Sequence, residues 1–197
     1  MNKPGAQNTF TKTNEVLLKE GNQWLHFANP HRVIIAHKLE DVIPALRDVE
    51  QLIKVNDWHA AGFVSYEAAS AFDSVLHTFP NAGFPLLWFG LYSSPSEITI
   101  LEAVIPNEIL NWEPAIDLNS YNTAIEHIRD HIAEGRTYQV NYTMRLQTDF
   151  KSSAWNLFLH LAQSQNRHAA FMDIGRYVIC SASPELFFHL DGDTITC

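Results

Sequence analysis

Between Tyr138 and Leu146 apolar and polar residues alternate without a break. Tyr138, Val140, Tyr142, Met144 and Leu146 share one face of an extended chain, and Gln139, Asn141, Thr143 and Arg145 share the other. The period of two predicts a strand over 138–146 whose first face needs a core to lie against. The second face carries two amides, a hydroxyl and one guanidinium in place of the Lys and Glu of an ordinary wet sheet surface. Amides at such positions belong either to a half-buried structural network or to the surroundings of a ligand, and the residues leave both readings open.

The elements around this strand mix two periods. Short strands are predicted over 24–27 and 33–36, around the turn signal Asn29-Pro30. Val42, Leu46, Val49 and Ile53 then recur at helical spacing, with Asp41 as the N-cap and Pro44 in the first turn, where its missing N–H costs little. Residues 60–65 read as a buried strand, 67–76 as a short helix, 86–92 as a central strand and 98–104 as a further strand. Tyr121, Ile125, Ile128 and Ile132 form a helical stripe that Ser120 can cap and Gly135 can end in the left-handed conformation. Another helix carries Trp155, Phe158, Leu159 and Ala162 on one side. Strand-like runs follow at 169–173, 177–181 and 186–190, with Gly175 at the first turn and Asp191-Gly192 as a hairpin signal. The hairpin's second strand stops at Cys197, which reads as a fragment of a longer protein. In domain terms, 1–22 is a flexible start, 23–105 a first domain, 106–119 a Pro-bracketed linker and 120–197 an incomplete second domain.

Apolar residues make up 46% of the 197 residues, enough for a sizeable core. The net charge of −9 and the lack of any basic run argue against nucleic acid or an anionic membrane as partner. No apolar stretch approaches the roughly 20 residues a membrane helix needs, and the polar N-terminus lacks a signal-peptide core. Cys180 and Cys197 form no disulfide framework. A cytoplasmic protein fits these features.

Chemistry-bearing residues are sparse. In Ser181-Ala182-Ser183-Pro184-Glu185-Leu186-Phe187-Phe188, Ser181, Ser183 and Glu185 share a face. Glu185 opens an apolar run, so its carboxyl group can be partly withdrawn from water, which favours the protonated form and suits a general acid. The alternative is a strand-edge carboxylate in solvent. His127 and His131 have metal-compatible spacing but lie off the Ile stripe with no third ligand, so a solvated face is the better reading. Asp191 and Asp193 read as turn residues. No metal site is assigned.

Two motifs occur in order: I-x-x-I-x-x-x-I-x-x-G-x-x-Y-Q-V-N-Y-T-x-R-L from Ile125 to Leu146, and S-x-S-P-E-L-F-F from Ser181 to Phe188. Together they resemble the chorismate-utilising enzymes, which include anthranilate synthase component I, aminodeoxychorismate synthase component I and the isochorismate and salicylate synthases. Gly62-Phe63-Val64-Ser65-Tyr66-Glu67-Ala68 is similar to the family's first domain. Gln139-Val140-Asn141-Tyr142-Thr143 is most similar to the aminodeoxychorismate synthases, of 4-aminobenzoate and folate biosynthesis.

The resemblance implies an α+β fold of mostly antiparallel sheets flanked by helices, like anthranilate synthase component I and C-terminally truncated. It implies chorismate as substrate, Mg²⁺ as cofactor and a glutamine amidotransferase subunit as the source of ammonia. It assigns Glu185 to acid–base chemistry at the chorismate C4 oxygen, a role in which a positioned acid contributes about 10²–10⁴ in rate. The attacking Lys, the Mg²⁺ ligands and the substrate-gripping Arg and Tyr that it also implies would follow Cys197, so the chain alone is expected to be inactive. The polar face of 138–146 would brace the sheet. No L-L-E-S-like segment is present, and Asn166–Phe171 lacks the Pro of the effector-binding relatives, so the resemblance gives no ground for an amino-acid effector site.

Overall fold

The computed structural model describes residues 12–21, 23–79, 83–100, 110–163 and 168–197. Contacts group the chain into two compact units, Met1–Ile105 with Ser153–Cys197, and Pro106–Ser152.

The first unit is layered. Strand β1 (Glu15–Glu20) pairs antiparallel with β2 (Gln23–Phe27), which pairs with β6 (Ser96–Ile98). On its other side β1 pairs with β9 (His168–Asp173), and β9 with β10 (Val178–Ser183). The resulting sheet has the order β10-β9-β1-β2-β6. A second sheet has the order β3-β5-β4, built from β3 (Arg32–Ala36), β4 (His59–Val64) and β5 (Leu87–Tyr92).

The pleat sends alternate residues into different layers. On β5, Leu87, Phe89 and Leu91 face α1 (Leu39–Asn56), where Val42, Ala45 and Val49 are buried. Trp88 and Tyr92 face the other way, into a core with Val16, Phe27, Ala61 and Met172 that joins the two sheets. On β1, Val16 enters that inter-sheet core, whereas Leu17 meets Trp155, Phe158 and Leu159 of α3 (Ala154–Gln163). The unit is thus four layers: α1, the three-stranded sheet, the five-stranded sheet, α3. Burial on both faces explains why 86–92 is a continuous apolar run and not an alternating one.

Several expectations are corrected here. Residues 15–20 of the supposed flexible start form β1, with Val16 and Leu17 fully buried; residues 1–11 lie outside those described. Lys38, not Asp41, is the N-cap of α1, and Pro44 falls in the second turn. The segment after β4 is a 3₁₀ helix, Tyr66–Ala71, and not a helix to 76. The strand expected over 98–104 is Ser96–Ile98, and 101–104 lie outside the described residues. Residues 153–197 do not continue a domain begun at 120, because β9 is paired with β1.

The second unit holds β7 (Glu113–Pro114), α2 (Leu118–Ala133) and β8 (Leu146–Gln147), with β7 and β8 antiparallel. Both β7 and the start of α2 lie within the expected linker. Asp117, not Ser120, caps α2: its carboxylate accepts the Ser120 N–H at 2.7 Å and the Ser120 hydroxyl at 3.1 Å. Gly135 takes φ +71° past the helix end, as its sequence position predicts. None of the residues of α2 is buried.

The regular alternation at 138–146 does not become a strand. Only Leu146–Gln147 pairs, with β7, and the remainder is irregular. Alternation makes a segment suitable for a sheet, but a strand also needs a ladder partner for its backbone. Here the partner covers two residues.

Candidate functional site

The S-P-E segment is positioned by β10, an edge strand that among the described residues pairs only with β9, Ser181 opposite Ala170 and Ser183 opposite His168. By the pleat, Ser181 and Ser183 share a face with Ile179, which packs on the inter-sheet core. Both serines are half-buried. Pro184 ends the strand, since it cannot donate to a ladder. The bend that follows is held by Ser183, whose hydroxyl donates to the Glu185 carbonyl at 2.7 Å and lies 3.3 Å from the Glu185 N–H.

That bend turns Glu185 outward. Its side chain is exposed, and no hydrogen bond or ion pair to its carboxylate is present among the described residues. The expected partial burial of Glu185 is therefore not met within this chain. The strand expected at 186–190 begins only at β11 (His189–Asp191), which leaves Phe187 89% exposed and Phe188 half exposed. β11 pairs with β12 (Thr194–Thr196) across Gly192 and Asp193, and only Gly192 of the two has positive φ, +56°. Glycine first in a two-residue loop is the II′ pattern, so the turn lies one residue later than Asp191-Gly192.

The other sequence candidates lie in the second unit. Gln139 Nε2 lies 3.4 Å from Asn141 Oδ1, and the Thr137 hydroxyl donates to the Gln139 carbonyl at 3.0 Å. These contacts join residues two apart in an irregular segment, and Gln139 and Asn141 lie in no strand. The Arg145 carbonyl accepts the Ala115 N–H at 2.8 Å beside β8. Tyr142 meets Tyr121 of α2 edge to face, ring centroids 5.6 Å apart. His127 and His131 are exposed on α2. Among the described residues no group of three or more His, Cys, Asp or Glu could hold a metal ion.

One partly buried polar pair carries no mark in the sequence pattern. Glu15 is the buried charged residue among those described, and its carboxylate lies 3.2 Å from His26 Nε2 on β2. Beside it the Tyr92 hydroxyl donates to the Asn14 carbonyl at 2.9 Å. Burial, then the nearby Glu15 charge, holds the Tyr92 phenol well above its ordinary value. The one signal for the strand that carries Glu15 is Val16-Leu17-Leu18, a three-residue apolar run embedded in polar sequence. No helix among the described residues is long and apolar enough to cross a membrane.

No curated protein and no solved structure matches the chain. The family model described as chorismate binding enzyme matches residues 13–197, which takes in β1 through β12 and both motif segments. The chain belongs to the chorismate-binding enzyme family.

Proposed function

We propose that this chain belongs to an aminodeoxychorismate synthase component I, whose net reaction joins chorismate and ammonia to give 4-amino-4-deoxychorismate and water. The observation that carries this reading within the established family is Gln139-Val140-Asn141-Tyr142-Thr143. Anthranilate synthases more often have an apolar residue in place of that Asn and Ser in place of that Thr. Ammonia would come from a glutamine amidotransferase subunit, and the pathway would be the cytoplasmic synthesis of 4-aminobenzoate and folate.

In this reading Glu185 gives a proton to the departing C4 hydroxyl, which leaves as water. Hydroxide is a poor leaving group, so the proton lowers the barrier. The Ser183 hydroxyl fixes the backbone on which Glu185 is carried. Because Glu185 is exposed among the described residues, its shelter has to come from protein other than those residues or from bound substrate. Mg²⁺ would neutralise a substrate carboxylate, held by ligands other than the described residues.

The complete reading frame that carries this chain should be assayed with chorismate, Mg²⁺ and ammonium, with products separated by chromatography. Formation of 4-amino-4-deoxychorismate is expected, falling by about 10²–10⁴ in Glu185→Gln. Anthranilate with pyruvate as products would move the protein to the anthranilate branch. Undiminished turnover in Glu185→Gln would remove that residue from the mechanism. A non-catalytic binding module is the second reading, favoured by the exposure of Glu185 among the described residues. It expects chorismate binding with no product.

A further inference from the structure

Among the described residues, the three-stranded sheet leaves β3 as an edge whose one strand neighbour is β5. Its outer side presents backbone N–H and C=O groups with no strand beside them among the described residues, which is a template for another strand. Helix α1 flanks this edge. Asp41, Pro44, Ala45 and Asp48 recur at helical spacing and so line one face of α1, and together with residues 32–35 of β3 they enclose a groove of about 360 Å³. Ile34 and Ala36 point toward α1 in the core, so Arg32, in phase with them, leaves β3 on that side too. None of the ion pairs among the described residues involves Arg32, Asp41 or Asp48. On the other face of the edge, Ile35 is 48% exposed.

We propose that this groove docks an extended segment of another protein, which adds as a strand to the edge of β3 and sets Lys or Arg side chains against Asp41 and Asp48. Strand addition supplies main-chain hydrogen bonds for affinity, and alternate side chains supply specificity. The two carboxylates are two helical turns apart, about 10 Å along α1. Same-face residues of an added strand recur at about 7 Å, a mismatch that long, flexible Lys stems absorb. Apolar residues on the opposite face of the segment would cover Ile35. A net charge of −9 draws a cationic segment toward the protein. The same charges disfavour a second copy of this chain, which would bring carboxylates against carboxylates. This assignment is independent of chorismate and of Glu185.

The test uses the whole chain and a fluorescein-labelled peptide, acetyl-Val-Lys-Val-Lys-Val-Lys-Val-amide, followed by anisotropy at low and high salt. Saturable binding that weakens with salt is expected. Asp41→Asn with Asp48→Asn should weaken it about tenfold. Peptides N-methylated on alternate residues keep their side chains but lose the donors on one edge; of the two possible sets, at least one should not bind. A peptide with Glu in place of Lys should not bind. Lack of saturable binding, or binding indifferent to the carboxylate variants, or binding retained by both N-methylated sets, would overturn the proposal. So would sedimentation of the chain as a dimer that the peptide fails to dissociate.

Discussion

Tyr92 folds back across Gly90 on the same strand, so closely that a Cβ built on Gly90 would lie 2.0 Å from the Tyr92 hydroxyl oxygen and 2.3 Å from Cζ. Glycine is needed there to admit the ring, and the ring is needed because its hydroxyl reaches the Asn14 carbonyl at the start of β1. One side chain of the three-stranded sheet thereby reaches the end of the five-stranded one. Gly90→Ala should force the buried ring aside and cost about 1–3 kcal/mol, read as a lower urea midpoint at constant slope. In a Tyr92→Leu background the same glycine change should cost markedly less. Additive losses in that double-mutant cycle would show that the two residues do not interact.

The bend before Glu185 offers a test of positioning as distinct from folding. Ser183 holds this bend through its hydroxyl alone. Ser183→Ala should change global stability by no more than about 1.5 kcal/mol. If Glu185 acts on the C4 oxygen, the same change should lower kcat for chorismate amination with KM little altered, and Ser183→Thr should restore much of the loss. A fall in stability matched by an equal loss with Thr would make Ser183 a purely structural residue.

Local patterns in the sequence located most of the elements that bury a face against a neighbour. The stripe of Trp155, Phe158, Leu159 and Ala162 predicts α3, and all four are buried in one cluster with Leu17, Ala169, Phe171 and the partly buried Cys180 of the five-stranded sheet. The apolar run at 86–92 predicts a central strand, and β5 is the middle of its sheet. What stayed hidden was set by distant partners. β1 is six residues long but holds an apolar run of only three, Val16–Leu18, with no clean alternation, since both its faces are covered, and it is stabilised by β9, far along the chain. Conversely, the alternation from Tyr138 to Leu146 promises a strand, yet its apolar members are exposed, Tyr138 at 91%. Periodicity reports which faces a segment has, not whether a neighbour is present to cover them. The site followed the same division: the S-P-E motif was legible as a local unit, whereas the exposure of its carboxylate depends on what surrounds it.

Capping of α2 should make its helicity depend on acid. The Ser120 N–H, then its hydroxyl, holds the Asp117 carboxyl below its ordinary value of 3.8. A carboxylate with a depressed folded value stabilises fully above the unfolded value and loses that contribution as pH falls through the folded one. The wild-type helical signal in circular dichroism should therefore drop below pH 3.8 relative to an Asp117→Asn protein, whose amide caps without titrating. Other carboxylates titrate in both proteins and cancel in the difference. Parallel acid profiles for the two would show that the Asp117 charge gives α2 nothing.

The two thiols should differ sharply in reactivity. Cys180 sits on β10 facing α3, beside Phe158 and Phe171 in the core, and its Sγ lies 3.5 Å from the Ala154 carbonyl. Burial pushes its thiol up to about 11, so at pH 8 only about one molecule in a thousand carries the reactive thiolate. Cys197 is exposed. Ellman's reagent on the native protein at pH 8 should therefore titrate one thiol at once and the second slowly, and Cys197→Ser should abolish the fast phase alone. Denaturant should bring both thiols to a single fast rate, because unfolding removes the apolar surroundings that disfavour the Cys180 thiolate. A fast phase that survives in Cys197→Ser would mean that α3 leaves β10 often enough for water and reagent to reach Cys180, and the packing of that helix on the five-stranded sheet would then be weaker than its four buried side chains imply.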